Sequence, residues 1–201
     1  MTNNTELCDY FFKYHSDKCP QVGHSYSPHY YELLKDGKET YLNVLEIGIG
    51  NNELMKPLYG ERYIVGGSLK AFNDFFINAN IYGLDIREDV LFSEKRIKCF
   101  YTDQSNSEEL VKSINVIKKS SNDEDLEFDL IIDDGSHIFD HMVLTFRTLG
   151  KYLKHNGIYI IEDIKRFELD LFLNMEISGF EMIKIHRGNT GQDDFIAYRK
   201  K

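Results

Sequence analysis

Hydrophobic positions change their period along this chain, and each change marks a different kind of element. Between Thr5 and His15 the apolar residues Leu7, Cys8, Tyr10, Phe11, Phe12 and Tyr14 predict a short helix, with Thr5 placed as its N-cap. Pro20 to Pro28 reads as a turn, after which Pro28 suits the first turn of a second helix running to Leu34 and closed by Asp36-Gly37. From Asn43 the pattern alternates. Short apolar strand runs at Val44–Ile47, Ile81–Leu84, Ile97–Tyr101, Leu126–Ile132 and Ile158–Ile161 are separated by helical patterns at about Ser68–Phe76, Ser107–Ile117 and Phe139–Leu153, and a further helix follows at Phe167–Ile177. Strands separated by helices imply βαβ units, hence a mostly parallel sheet with helices on both faces. The end differs: Phe180–His186 and Asp194–Arg199 are joined by a loop containing Gly188, Asn189 and Gly191, with no helix between, which predicts an antiparallel hairpin. Asn51–Gly67 is expected to be a long irregular, functional loop.

A length of 201 residues suits one domain with a full core. We expect residues 1–40 to be a helical segment covering the site and residues 41–201 a Rossmann-like core. A formal net charge of −9 argues against a nucleic-acid backbone as the main ligand. Cys8, Cys19 and Cys99 show neither disulfide-framework nor zinc spacing, no apolar run reaches membrane-spanning length, and the N-terminus lacks the order of a signal peptide, so a cytoplasmic location is expected.

Chemistry enters with the turn after the first strand. In Val44-Leu45-Glu46-Ile47-Gly48-Ile49-Gly50, Gly48 and Gly50 permit a tight turn and close approach to a ligand. The third position of a dinucleotide fingerprint is Glu53 rather than glycine, which disfavours an NAD-type oxidoreductase. Glu46 would repel a pyrophosphate but accept hydrogen bonds from an ammonium group, which points to S-adenosylmethionine. Asp85, ending the second strand, is placed to take ribose hydroxyls; Asp103 and Gln104, after the third, lie where an adenine amino group would fall; Ser68, opening a helix, can hold the methionine carboxylate. Each has a plainer alternative: a capping Asp, a simple turn, an N-cap.

The densest chemistry is Ile131-Ile132-Asp133-Asp134-Gly135-Ser136-His137, followed by Ile160-Ile161-Glu162-Asp163. Two apolar strands here deliver acids and a histidine to one sheet edge. Converging carboxylates repel one another unless a cation lies between them, so a magnesium- or manganese-type site beside a histidine base is expected. Asp133 reads as a supporting acid, and His141, one turn beyond His137, as a surface or site-lining residue.

Taken together, LEIGIG, GGSLK, IYGLDI, TDQS, IIDDGSH and IIED resemble the metal-dependent S-adenosylmethionine O-methyltransferases that modify macrolide sugars. His15-Ser16-Asp17-Lys18 and His24-Ser25-Tyr26 are also similar to the family's segment just before the glycine loop. The resemblance runs from about Tyr14 to Asp163; the stretch after Asp163 is short and unlike that of the family, and no counterpart of the large N-terminal domain of some members is evident. It implies a class I methyltransferase fold with a mostly parallel seven-stranded sheet. It also implies magnesium on Asp134, Glu162 and Asp163, with Asp134 bordering the cofactor as well, and His137 as general base. The acceptor is expected to be a hydroxyl of a sugar, glycoside or nucleotide sugar, with no nucleic-acid or membrane partner and with homo-oligomerisation left open. A catechol-like diol acceptor, or a non-catalytic S-adenosylmethionine-binding partner protein, are the alternatives.

Overall fold

A computed structural model describes residues 5–201. Its sheet is built from β1 (Asn43–Ile47), β2 (Asn80–Asp85), β3 (Ser93–Glu94), β4 (Ile97–Tyr101), β5 (Phe128–Asp133), β6 (Leu153–Ile164), β7 (Phe180–His186) and β8 (Asp194–Lys200), in the order β3-β4-β2-β1-β5-β6-β8-β7. The strands from β4 to β6 in that order are parallel, while β8 pairs antiparallel with both β6 and β7, as the missing helix between β7 and β8 requires. The sheet has eight strands, not the seven expected. The extra one is the two-residue β3, antiparallel to Lys98 and Ile97 of β4, too short to show a period of its own.

Helices α1 (Glu6–Lys13), α2 (Ser27–Leu34) and α4 (Gly67–Phe75) cover one face, where Phe11, Tyr30, Leu34, Phe72 and Phe76 form a core with Val44, Ile81 and Leu130. Helices α5 (Ser107–Ser121), α6 (Phe139–Leu149) and α7 (Arg166–Leu173) cover the other, through Ile114, Met142, Phe146 and Phe172 against Leu45, Ile131 and Tyr159. All five β1 residues are buried, the pattern of a central parallel strand covered on both faces. Helix starts follow ordinary capping chemistry: Thr5 Oγ1 accepts from the Cys8 amide, and Asn106 Oδ1 from those of Glu108 and Glu109.

Several differences from expectation bear on function. Within the segment read as irregular, Asn52–Tyr59 is a helix (α3), capped by Asn51 Oδ1 accepting from the Leu54 amide. It buries no residue and contains Pro57, which argues for a loop, yet Leu54, Met55, Leu58 and Tyr59 recur at helical spacing behind the Asn51 cap. The helix expected to reach Leu153 stops at Leu149, because a 3-10 turn at Gly150–Tyr152 leads directly into β6. Strand β6 continues through Glu162 and Asp163 instead of ending before them. Its pairing with β8 is irregular between Ile161 and Ile164, and Asp163 there has φ +51°. Such an irregularity re-aims side chains out of the regular alternation.

Strand order reverses at β1: β2 and β4 lie to one side, β5 and β6 to the other. Ligands of open α/β sheets bind beyond the carboxyl ends of the strands at such a switch point.

Candidate active site

The turn after β1 and the turn after β5 meet at this switch point. The Gly48 amide donates to Leu84 O, and the Asp134 amide donates to Ile47 O, each at 2.8 Å. Gly48 has φ +91°, and a Cβ added there would lie 1.9 Å from the Asp134 carbonyl oxygen, so only glycine lets the two turns touch. Gly50, at φ +74°, is similarly closed off by the Tyr63 hydroxyl. Beyond these turns lies a cavity of about 540 Å³, bordered by Gly48, Gly50, Ser68, Asp85, Asp134, His137 and Asp163, with Leu54, Met55, Leu58 and Tyr59 of α3 along one side. A second cavity, about 290 Å³, borders the same Gly48, Asp85 and Gly135 and extends to Asp103, Gln104 and His141. The shared residues make the two cavities neighbours along the edge formed by β1, β2, β4 and β5.

Behind the glycine turn, Glu46 is fully buried, set back from the residues that line the larger cavity, and accepts a hydrogen bond from Ser68 Oγ at 2.7 Å. Its other oxygen, Oε1, lies 3.3 Å from Lys18 Nζ but receives no hydrogen bond. Burial pushes the Glu46 carboxyl up to about 7, against the opposing pull of Lys18. Ser68 thus orients Glu46; the helix cap is Gly66, in the left-handed region. Asp85 accepts from the Ile49 and Arg87 amides at 2.8 and 2.9 Å, so it fixes the glycine turn as well as facing the cavity. Gln104 is buried. Its Nε2 donates to Asp133 Oδ1 at 2.6 Å and its Oε1 accepts from the Ser136 amide at 2.8 Å, tying β5's acidic end to the turn after β4. Asp103 accepts from both the Ser105 amide and hydroxyl, and these bonds hold its carboxyl below the usual range. Asp133 is a buried supporting acid pushed up to about 7 by desolvation.

On the far side, Asp134, His137 and Asp163 place one ligand atom each within 4.8 Å of one another, the one such group found among the described residues. His137 Nδ1 stands 3.4 Å from Asp163 Oδ2 and His137 Nε2 stands 3.8 Å from Asp134 Oδ1. Both His137 (φ +54°) and Asp163 (φ +51°) hold left-handed backbone, which is costly for side chains other than glycine and recurs at functional sites. Burial first, then the neighbouring Asp134 charge, raise the Asp163 pKa. Glu162 lies behind this trio and is not one of it. Its Oε2 accepts from Lys18 Nζ at 2.7 Å, and its Oε1 accepts a short bond from the Tyr30 hydroxyl. Each of its oxygens keeps a second lone pair.

Lys18, Tyr26 and Tyr30 were not among the expected site residues, although Lys18 and Tyr26 fall in the two N-terminal stretches that resemble the family. Lys18 is buried. Desolvation opposes its charge, yet Asp134, Glu162 and Glu46 together raise its pKa well above the usual value. No local pattern marks any of the three, since each acquires its partner across more than a hundred positions.

A Rossmann-like sheet with a glycine turn, an acid at the end of β2 and acids beyond β5 and within β6 defines the methyltransferase class of this fold. The chain is related in sequence to the macrolide-sugar O-methyltransferases. It is 35% identical over 147 residues to the mycinamicin VI 2''-O-methyltransferase of Micromonospora griseorubida, covering 72% of this chain and 33% of that protein. It is 34% identical over 141 residues to the demethylmacrocin O-methyltransferase of Streptomyces fradiae, covering 70% and 32%. Among solved structures, the MycE methyltransferase from the mycinamycin biosynthetic pathway, in complex with Mg and SAH, matches with a TM-score of 0.70 at 24% identity, over 99% of this chain and 56% of that one. No family model matches. The chain spans about a third of the length of the curated relatives it matches. Among the described residues, no helix is long and apolar enough to cross a membrane.

Proposed function

We propose that this chain is an S-adenosylmethionine- and magnesium-dependent O-methyltransferase acting on a hydroxyl of a sugar, glycoside or nucleotide sugar. The observation that carries the reading is the grouping of Asp134, His137 and Asp163 at a cavity that also borders the glycine turn. The residues fit both absent groups. The carboxylates of Asp134 and Asp163, with Glu162 behind them, offer the oxygen ligands that suit a hard cation such as magnesium or manganese. The buried Glu46 Oε1, ion-paired with Lys18 at 3.3 Å but accepting no hydrogen bond, retains lone pairs that suit an ammonium group. Relatives named for methylating mycinamicin and macrocin support the sugar-type acceptor.

In this reading Glu46 accepts from the methionine ammonium, Asp85 accepts from the ribose hydroxyls, and Asp103, Gln104 and His141 border the adenine. Asp134 and Asp163 hold the metal, with Glu162 completing the set through its remaining lone pairs. Bound magnesium would lower the pKa of a coordinated acceptor hydroxyl and orient it for in-line transfer. The His137 imidazole, between the two acids and open to the cavity, takes the acceptor's proton. Tyr59 and Leu58 of helix α3 border the same cavity as these groups.

The test is a methyl-transfer screen against sugars, nucleotide sugars and catechols, with and without EDTA. S-adenosylmethionine should raise Tm, NAD should not, and turnover on a sugar-type hydroxyl should vanish with EDTA and return with magnesium. No Tm response to S-adenosylmethionine, or turnover indifferent to EDTA, would refute the proposal; turnover confined to catechols would move it to the diol alternative.

A further inference from the structure

The acids assigned to the metal are held from one direction by one stretch of chain, the connection from α1 into α2. Lys18 Nζ donates to Asp134 Oδ2 at 2.5 Å and to Glu162 Oε2 at 2.7 Å; Tyr30 OH donates to Glu162 Oε1; Tyr26 OH donates to Asp163 Oδ1 at 2.5 Å. All three donor side chains are essentially inaccessible to solvent. Their anchoring is independent of any ligand. Tyr26 and Tyr30 pack edge-on against Phe195 of β8 and belong to the core under α2, while the Lys18 carbonyl is held by the Ser27 amide at 2.9 Å. Their bonds leave a consistent remainder. Asp134 keeps Oδ1 and Asp163 keeps Oδ2 for the side on which His137 stands.

Lys18 does one thing the tyrosines do not. The same ammonium lies 3.3 Å from Glu46 Oε1 on the cofactor side. Three carboxylates surround this buried ammonium, so its removal leaves Asp134, Glu162 and Glu46 without their shared cation.

We propose that Lys18, Tyr26 and Tyr30 are positioning residues of the site. The tyrosines set the carboxylate orientations of the metal half, and Lys18 ties that half to the cofactor half through Glu46. None of the three touches the acceptor or the transferred methyl. The inference rests on the functional reading above, but it is tested by differences from the wild-type protein, whose own binding of magnesium and S-adenosylmethionine tests that reading separately.

The experiment is titration calorimetry of magnesium, with and without S-adenosylmethionine, and of S-adenosylmethionine itself, on Lys18→Met, Tyr26→Phe and Tyr30→Phe, each checked for native fold by circular dichroism. Loss of an outer partner of metal-binding side chains weakens metal affinity by about 10–100-fold. Tyr26→Phe and Tyr30→Phe should each show a loss toward the lower end of that range for magnesium, with unchanged S-adenosylmethionine affinity. Lys18→Met should weaken both ligands. Three variants with lowered Tm but wild-type affinities would overturn the proposal and leave these residues as packing. Tighter magnesium binding by Lys18→Met would also overturn it, since the ammonium would then compete with the cation and not position its ligands. If Lys18→Met does not fold, the tyrosine variants carry the test, and unchanged magnesium affinity in both overturns it. Wild-type protein that binds neither ligand would refute the functional reading instead.

Discussion

Gly48→Ala tests whether contact between the turns after β1 and β5 sets the geometry of the site. The added Cβ would sit 1.9 Å from the Asp134 carbonyl oxygen, whereas real Cβ atoms essentially never approach within 3.0 Å. The two backbones must therefore part by at least about 1.1 Å, and a displacement of that size in a reacting constellation costs on the order of 10²-fold in rate. Holding a side chain at φ +91° adds strain of about 1–3 kcal/mol. In a domain of this size that lowers Tm by roughly 2–4 °C per kcal/mol. The displaced residue is Asp134, bonded to Lys18 on one oxygen and facing His137 with the other, so the metal side should suffer along with the glycine turn. Denaturation midpoints, magnesium and S-adenosylmethionine isotherms and initial rates should all move together. A variant with wild-type Tm and wild-type turnover would show that the turns separate freely and that the contact does not define the site.

Asp134→Asn and Asp163→Asn should each weaken magnesium binding and lower turnover by orders of magnitude while S-adenosylmethionine still binds; near-wild-type activity in both would remove the metal from these acids. His137→Ala should slow methyl transfer by about 10²–10⁴-fold with magnesium affinity nearly unchanged. A large loss of magnesium affinity in that variant would instead make His137 a ligand, as its distances to both acids allow. Because Glu46 is pushed up to about 7, it is protonated, and unable to pair with an ammonium, in more acidic solution. S-adenosylmethionine affinity should therefore fall as pH drops below about 7, by up to about tenfold per pH unit. That dependence should disappear in Glu46→Gln, and calorimetry across the range would expose its persistence. For the ligand-free protein the same raised carboxyl works in the opposite sense. Its contribution to stability is fully present below the ordinary glutamate value and is lost as pH rises through about 7, so Tm should gain less on acidification once Glu46 is Gln.

What the sequence by itself determined is whatever depends on neighbours along the chain. Val44–Ile47 and Ile131–Ile132 are apolar runs whose burial on both faces follows from composition alone, and Gly48 and Asp85 are where a turn and a strand end must fall. The acids beyond β5 and within β6 were legible as a cluster because β5 and β6 are parallel neighbours separated by one crossover helix. Helix α3 left a trace in the spacing of Leu54, Met55, Leu58 and Tyr59, but Pro57 inside it and Gly60 after it favoured a loop. The bulge that turns Asp163 toward His137 was not legible, since it arises from the pairing of β6 with β8, thirty or so residues later in the chain. Only the tertiary structure decided which groups meet. Lys18 reaches Asp134 and Glu162 across 116 and 144 positions, and Tyr26 reaches Asp163 across 137. Most strands and helices here follow local preferences that a pattern along the chain records, the two-residue β3 and the bulged end of β6 excepted. A buried ammonium among carboxylates exists only because the packing of α1, α2 and α4 against the sheet removes water from all of them at once.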